Sequence, residues 1–491
     1  MNEWALLIDI SSIQKFVFAS NKLKENLGAS YLVSDLYDSI ITQNDAVKNM
    51  KYSKGYIGGG NALLFFNSEN EAKTFVMEWT KSLLVLAPGV NVITAINKWD
   101  ESDFSKSRDA LFEKLRGNKS RFIPQTIIPR HGISAECASD GYSMDVFGNA
   151  SEKEYVSAAT NAKLEAYEKA RDAIKNDYSG ILKDNYCFTG ELDKLGQSKG
   201  SENHIAIVHI DGNSMGDRFK QLTSLEATRL LSEDIENAVK NSFKTLLQKI
   251  VEELDDPVKK EYLSLKPDGG KSILPIRPII LGGDDITFVC EGRMGIYYAK
   301  IFMEAFQNQK DGKGNNLKLT SCAGIAVIKT KYPFYKGYQI AEELCANAKS
   351  KRREMSDSGS WLDFHIAYGG FYGSLDEIRR HHYQASLGSL TYRPYKIMDT
   401  SEYSFETFVS NTKILSKNWP NNKLKDLRKI LTLGEDAAGI FINEIRARGL
   451  NLPSLQGKNF EKTLFDINTK KTPYFDMLEL LEYYPKYELE G

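Results

Sequence analysis

The chain is 491 residues long, 42% hydrophobic and 26% charged, with 64 basic against 65 acidic side chains. That length favours two to four domains, each burying a core of its own, and the balanced charge excludes an overall field that gathers nucleic acid, so phosphate binding has to be local. No run approaches the roughly 18 apolar residues of a membrane span, and Met1 to Ile10 lacks the basic, apolar and small-residue succession of a secretory leader, so a cytoplasmic protein without a membrane partner is expected. Trp4 to Ile10 reads as a buried strand carrying Asp9, followed by a helical pattern from Ile13 to Leu36. Tyr56 to Phe66 reads as strand, tight turn and strand around Gly58-Gly59-Gly60-Asn61, with a helix (Glu71 to Leu86) and a strand (Val90 to Ile96) after it.

The same order recurs from His204, where an apolar strand ends in Asp211. A helix over Leu222 to Leu254 follows, then a hairpin over Arg277 to Cys290 whose turn is Gly282-Gly283-Asp284-Asp285. A helix (Gly295 to Gln307), a strand (Leu319 to Ile328) and a helix (Tyr338 to Lys351) complete the series. Asp9 falls on Asp211, and Gly58 to Asn61 on Gly282 to Asp285, so the halves read as diverged copies of a β-α-β-β-α-β unit. The expected fold class is α+β: two ferredoxin-like units, 1–135 and 201–400, joined by a helical linker region, 136–200, with a small C-terminal helical domain, 401–491. In the linker, Ser151 to Asn176 is rich in Ala, Glu and Lys and reads as a largely exposed spacer. Short strands are expected in Trp361 to Ala367 and Gly388 to Met398.

Nucleotidyl transfer depends on positioning and on neutralising charge at phosphate oxygens, which metal ions held by carboxylates accomplish. An aspartate ending the first strand and two on the following hairpin would converge at one sheet edge, so Asp211, Asp284 and Asp285 are the candidate catalytic and metal-holding residues, with the Gly212 carbonyl as a further ligand. Gly282 and Gly283 leave room for a nucleotide against the backbone, as do the small residues Gly212, Asn213 and Ser214. A Gly-Gly-Asp-Asp turn alone suits any surface hairpin; its flanking strands and the aspartate strand upstream favour a site. Asp217 is expected to cap the following helix. Lys349 lies where it can reach β- and γ-phosphates, whereas Lys351, Arg352 and Arg353 equally suit the end of a helix dipole.

With these residues in view, the chain resembles the large palm-domain subunit of type III CRISPR effector complexes. The resemblance runs from Ile8 to about Ile397, through Ile13-Gln14-Lys15-Phe16, Leu27 to Leu32, the aspartate strand, the Gly-Gly-Asp-Asp hairpin and Ala341 to Leu344. It implies polymerisation of ATP, with Mg2+ or Mn2+, into cyclic oligoadenylates that switch on effector nucleases, or joining of AMP to another small molecule. It implies other effector subunits, guide RNA and target RNA as partners. Asp211, Asp284 and Asp285 match the family's metal-binding carboxylates, and the first palm, with Gly60 and Asn61 at its turn, resembles an inactive partner that helps to hold a second nucleotide, Ser30 being its expected contact. Lys349 is similar to the triphosphate lysine of diguanylate-cyclase palms.

Three features depart from the family. The chain begins almost at the first palm strand and has six histidines without a His-Asp dipeptide, so no HD nuclease is expected. Only Cys137 and Cys187 lie between the palms and no C-x-x-C pair occurs, so zinc is not expected. Asn213 stands where many relatives have an acid. The alternatives are a stand-alone second-messenger synthase, a diguanylate cyclase, and a non-enzymatic nucleotide- or RNA-binding scaffold; retention of three aspartates argues against the last, because clustered acids cost stability.

Overall fold

The computed structural model describes residues 3–43, 45–58, 60–121, 134–148, 153–195, 203–369, 373–455, 460 and 464–490; Gly59 and the start of the expected spacer at Ser151 lie outside these. In the first half, β1 (Trp4–Ser11), α1 (Ile13–Val17), α2 (Leu23–Gln43), β2 (Ser53–Gly58), β3 (Asn61–Phe66), α3 (Glu69–Leu86), β4 (Asn91–Lys98) and α4 (Phe104–Arg121) follow one another. The helix expected from Ile13 to Leu36 is thus two, separated around Ser20. A further long helix, α5 (Ala158–Asp177), leads to the second half. There, β5 (His204–Gly212), α6 (Met215–Lys220), α7 (Leu225–Leu254), β6 (Ile276–Gly282), β7 (Asp285–Glu291), α8 (Gly295–Gln307), β8 (Ser321–Lys329) and α9 (Phe334–Glu354) repeat the order, and β9 (Ser360–Ile366) and β10 (Tyr395–Ile397) extend the sheet.

The sheets run β2-β3-β1-β4 and β6-β7-β5-β8-β9-β10, so the first four strands of each have the same arrangement. The likeness reaches single bonds. Asp9 lies opposite Asn61 and Asp211 opposite Asp285. Both hairpins break register two to four residues before their turns, at Lys54/Tyr56 and Pro278/Ile280. The Ile10 amide donates to the Gly60 carbonyl at 2.9 Å, and the Gly212 amide to that of Asp284 at 3.0 Å.

Separate cores for the two halves are expected from length, but one apolar cluster joins Leu6, Ile8 and Phe16 of the first half to Ile205, Ile207, Val289, Phe334 and Tyr338 of the second. Side chains alternate along a strand. Ile205 and Ile207 therefore share a face with His209 and Asp211, and this face turns from apolar to polar toward the end of β5.

The expected exposed spacer is instead half buried. Ala159, Thr160, Lys163, Ala166 and Ala170 of α5 are covered, and a Cβ on Gly28 would sit 1.7 Å from the Lys163 carbonyl oxygen, so α2 and α5 touch backbone to backbone. Burying small side chains at helical spacing drives that contact. Lys163, buried with them, donates to the Phe16 carbonyl at 2.9 Å. The linker region also holds short strands at Val146–Phe147, Tyr155–Val156 and Tyr186–Cys187.

Past the second sheet, α10 (Phe405–Asn418) and α11 (Tyr474–Tyr483) belong to the same apolar cluster as Phe288, Phe302 and Phe364. A buried ionic network fastens α11: Arg393 Nη1 lies 2.6 Å from Glu479 Oε2 and 3.6 Å from Asp476 Oδ1. The backbone amides of Tyr392 and Arg393 and the Tyr395 hydroxyl all donate to Asp476 Oδ2 at 2.9 Å, and Tyr383 donates to Glu479 Oε1 at 2.6 Å. The five cysteines are free thiols, all buried except the half-buried Cys187. Among the described residues no helix is long and apolar enough to cross a membrane.

Candidate functional site

The last residue of the hairpin turn, Asp285, pairs across the strands with Asp211. Like charges directly opposite one another in an antiparallel pair are destabilising, so this position calls for positive charge. Lys349 supplies part of it, its Nζ lying 2.6 Å from Asp211 Oδ2. Helix α9 can bring the lysine so close because Gly324 of β8 carries no side chain: a Cβ there would sit 1.9 Å from the Ala341 carbonyl oxygen, two turns before Lys349. Burial lowers the Lys349 pKa, but the charge and hydrogen bond of Asp211 outweigh it and hold the ammonium above its usual range.

Asp285 is held from both sides. Gln14 of α1, in the other half of the chain, donates from Nε2 to its Oδ2 at 3.2 Å. His209 Nδ1 lies 3.4 Å from its Oδ1 and 3.3 Å from the Thr287 hydroxyl. Burial holds the His209 pKa below the ordinary imidazole value, which favours the neutral ring near pH 7. Asp285 Oδ1 is a buried acceptor that no hydrogen bond reaches. Burial first, and then the charge of Asp211, push Asp284 up to about 6. Asp285 is pushed up to about 7 by burial, with the Gln14 hydrogen bond opposing and Asp211 adding to the rise.

The other expected residues sit as follows. Asp284 occupies the turn beside Gly283, whose φ is 59°. Ser214 is also left-handed, at φ 58°, and starts α6 without a side-chain cap. Asn213 is buried, and its amide is committed to the Thr320 hydroxyl at 3.1 Å and the Gly359 carbonyl at 3.3 Å, so it braces the backbone behind the site. Asp217 does not cap a helix: it lies inside α6, 3.7 Å from Lys220, while Ser224 caps α7 by accepting from the Ala227 amide. The physical reason is that the αL turn at Ser214 starts α6 before Asp217 is reached.

Two clefts flank the paired hairpins. One, of about 870 Å3, is lined by Ser12, Gln14, Ser30, Gly58 and Gly282 to Asp285. The other, of about 840 Å3, is lined by Asn61, Trp99, Phe104, Gly216, Gly283 and Asp284. Each joins the turn after the first strand of one half to hairpin residues of both. Ser30 thus shares a cleft with Asp285.

A Cβ on Gly282 would meet nothing within 4 Å, and its φ is not in the left-handed region. Gly282→Ala is therefore expected to change the melting temperature by less than about 2 °C while lowering nucleotide turnover about tenfold or more, because the methyl group occupies only space a ligand would need. Paired melting curves and product assays read this, and unchanged turnover would mean that no ligand approaches the backbone there.

Hard divalent cations take oxygen ligands, and the donor-free Oδ1 of Asp285 beside Asp211 fits that demand. Among the described residues no three His, Cys, Asp or Glu side chains are gathered tightly enough to enclose a metal by themselves. The arrangement suits a cation that takes its remaining ligands from phosphate and water.

Three contributors were not assigned from the sequence. Lys119 of α4 lies 2.7 Å from Asp9, as Lys349 lies beside Asp211, and extending the repeat to the helix after the fourth strand would have found it. His209, two residues before Asp211, follows from strand alternation. Gln14 has no local signal for its partner, which lies 271 residues away.

A ferredoxin-like sheet with an acid pair shared between its first strand and following hairpin defines a palm-type fold. Residues 204–356 match the family model for Cas10/Cmr2, second palm domain, so this part of the chain is a Cas10-like palm. Among solved structures, the Csm1–Csm4 cassette in complex with pppApApA aligns with a TM-score of 0.54 at 14% identity over 98% of this chain and 69% of that one. The cassette in complex with cA4 aligns at 0.53 and 13%, covering 99% and 69%, and in complex with one ATP at 0.53 and 14%, covering 99% and 70%. At such identities the likeness is one of fold. No curated protein matches the sequence.

Proposed function

We propose that the protein is a metal-dependent nucleotidyltransferase that makes a nucleotide second messenger, a cyclic oligoadenylate or an AMP conjugate, from ATP in type III CRISPR antiviral defence. The observation that carries this reading is the Asp211–Asp285 pair, two facing carboxylates of which Asp285 lines a cleft large enough for a nucleotide. In this reading 201–400 is the catalytic palm, 1–135 its degenerate partner, 136–200 the linker and 401–491 the C-terminal helical part. The protein works in the cytoplasm with other effector subunits, guide RNA and target RNA, and a downstream effector answers its product.

Asp211 and Asp285, with Asp284 and the Gly212 carbonyl, would hold Mg2+ or Mn2+, which supplies Lewis-acid stabilisation of phosphate charge when bound. Lys349 neutralises charge beside Asp211 and would meet a triphosphate bound there. Gly282 and Gly283 admit the nucleotide to the hairpin backbone, and Ser30 and Gly60 line the space for a second nucleotide, Asn61 facing the neighbouring cleft. Coincubation of the protein and its copurifying partners with ATP and Mn2+ or Mg2+, with and without S-adenosylmethionine, followed by mass spectrometry, tests the proposal. A nucleotide product is expected, lost in the Asp284→Ala/Asp285→Ala protein; no product would remove the enzyme reading, and equal product from the variant would remove the site assignment.

A further inference from the structure

The two halves serve each other's clefts unequally. Ser12 and Ser214, at φ 57° and 58°, hold equivalent left-handed positions after their first strands. Two residues on stand Gln14 in the first half and Gly216 in the second. Gln14 reaches across to the acid of the second hairpin. Gly216 faces the cleft that holds the neutral Asn61 of the first hairpin, and a Cβ on it would meet nothing within 4 Å. An amide donor is thus supplied from this position where an acid stands across the halves, whereas the equivalent position facing Asn61 is a glycine.

Gln14 is half-buried on a helix anchored by Phe16 and Val17, both buried, so its amide is delivered from a fixed base. Asp285, at the start of β7, has Gln14 on one oxygen and His209 behind the other. A neutral donor restricts the rotation of the carboxylate without cancelling its charge, and each carboxylate oxygen retains a further lone pair. We propose that Gln14 is a positioning residue acting between the halves: its amide fixes the plane of the Asp285 carboxylate, so that the first half sets the geometry in which the second holds its cation. The inference rests on the nucleotidyl-transfer reading of the site.

Gln14→Met tests it, because methionine keeps the length and bulk of the side chain and removes the donor; Gln14→Ala is the truncating comparison. Two measurements are made on the full chain with its partners: kcat and KM for ATP, and the Mn2+ concentration at half-maximal rise in melting temperature. Loss of an outer partner of a metal ligand costs roughly 10–100-fold in affinity or activity. Both variants are expected to lose about tenfold or more in kcat with KM for ATP changed less than about twofold, and to need about tenfold more Mn2+. A methionine variant with wild-type kcat and Mn2+ midpoint would overturn the proposal, since packing alone would then account for Gln14. If the wild type makes no product, the functional reading fails on its own, and the Mn2+ midpoint still decides whether Gln14 positions Asp285.

Discussion

Asp285→Asn is expected to abolish product formation, by at least about a thousandfold or roughly 4 kcal/mol of lost transition-state stabilisation, and at the same time to make the metal-free protein more stable at pH 8. Both effects have one origin. Asp285 and Asp284 are pushed up to about 7 and about 6 by burial and by Asp211, above the ordinary carboxylate value. A group whose folded pKa is raised favours folding while protonated. Its charged form weakens the fold progressively as pH rises from about 4 to about 7, and fully above that. The gain from Asn is therefore expected to be about 1–2 kcal/mol at pH 8, after allowing for partial exposure and the coupling of neighbouring acids, and close to zero at pH 4. Urea unfolding without metal at the two pH values measures it; equal gains at both would show that the acid pair is not the source. Added Mn2+ should reverse the order of stability at pH 8, because wild type gains a ligand that the variant cannot hold.

The second large effect is purely structural. Arg393→Met is expected to destabilise the protein by about 3–5 kcal/mol, because Asp476 and Glu479 would remain buried without their cation. Arg393 also lies 4.2 Å from the Phe364 ring centre, which methionine would still contact, so the loss is one of charge and hydrogen bonding rather than packing. Denaturant unfolding checks the size. A loss below about 1 kcal/mol would mean that these acids take up protons and stay buried at little cost. Since the network fastens α11 to the edge of the second sheet, hydrogen exchange in Tyr474–Tyr483 should rise more than in β5.

The second sheet was legible because its strands carry uninterrupted apolar runs and end in Gly and Asp residues with few conformational alternatives. The helix over Gly295 to Gln307 and the hairpin turn at Gly282 to Asp285 stand where periodicity places them. The repeat was legible for the same reason, and the matching bulges and αL serines extend it to features that composition does not reveal. What escaped was contact between distant segments. The alanines of Ser151 to Asn176 look solvated until Gly28 on α2 is known to lie against them. Gln14 looks like one polar residue in a short helix until the hairpin of the other half arrives above it. Arg393 resembles any loop arginine, and only the approach of α11 explains its burial.

The core shared by Leu6 and Ile8 with Ile205, Ile207 and Val289 joins two sheets of like strand order within a single chain. In a dimer of identical subunits every substitution appears twice, so an interface cannot keep an acid on one side and lose it on the other. A chain that carries both copies is free of that constraint. Here Asp9 faces Lys119 and has Asn61 as its hairpin partner, whereas Asp211 faces Lys349 and has Asp285 opposite. Covalent joining lets two neighbouring clefts of like topology be, residue by residue, chemically unequal places.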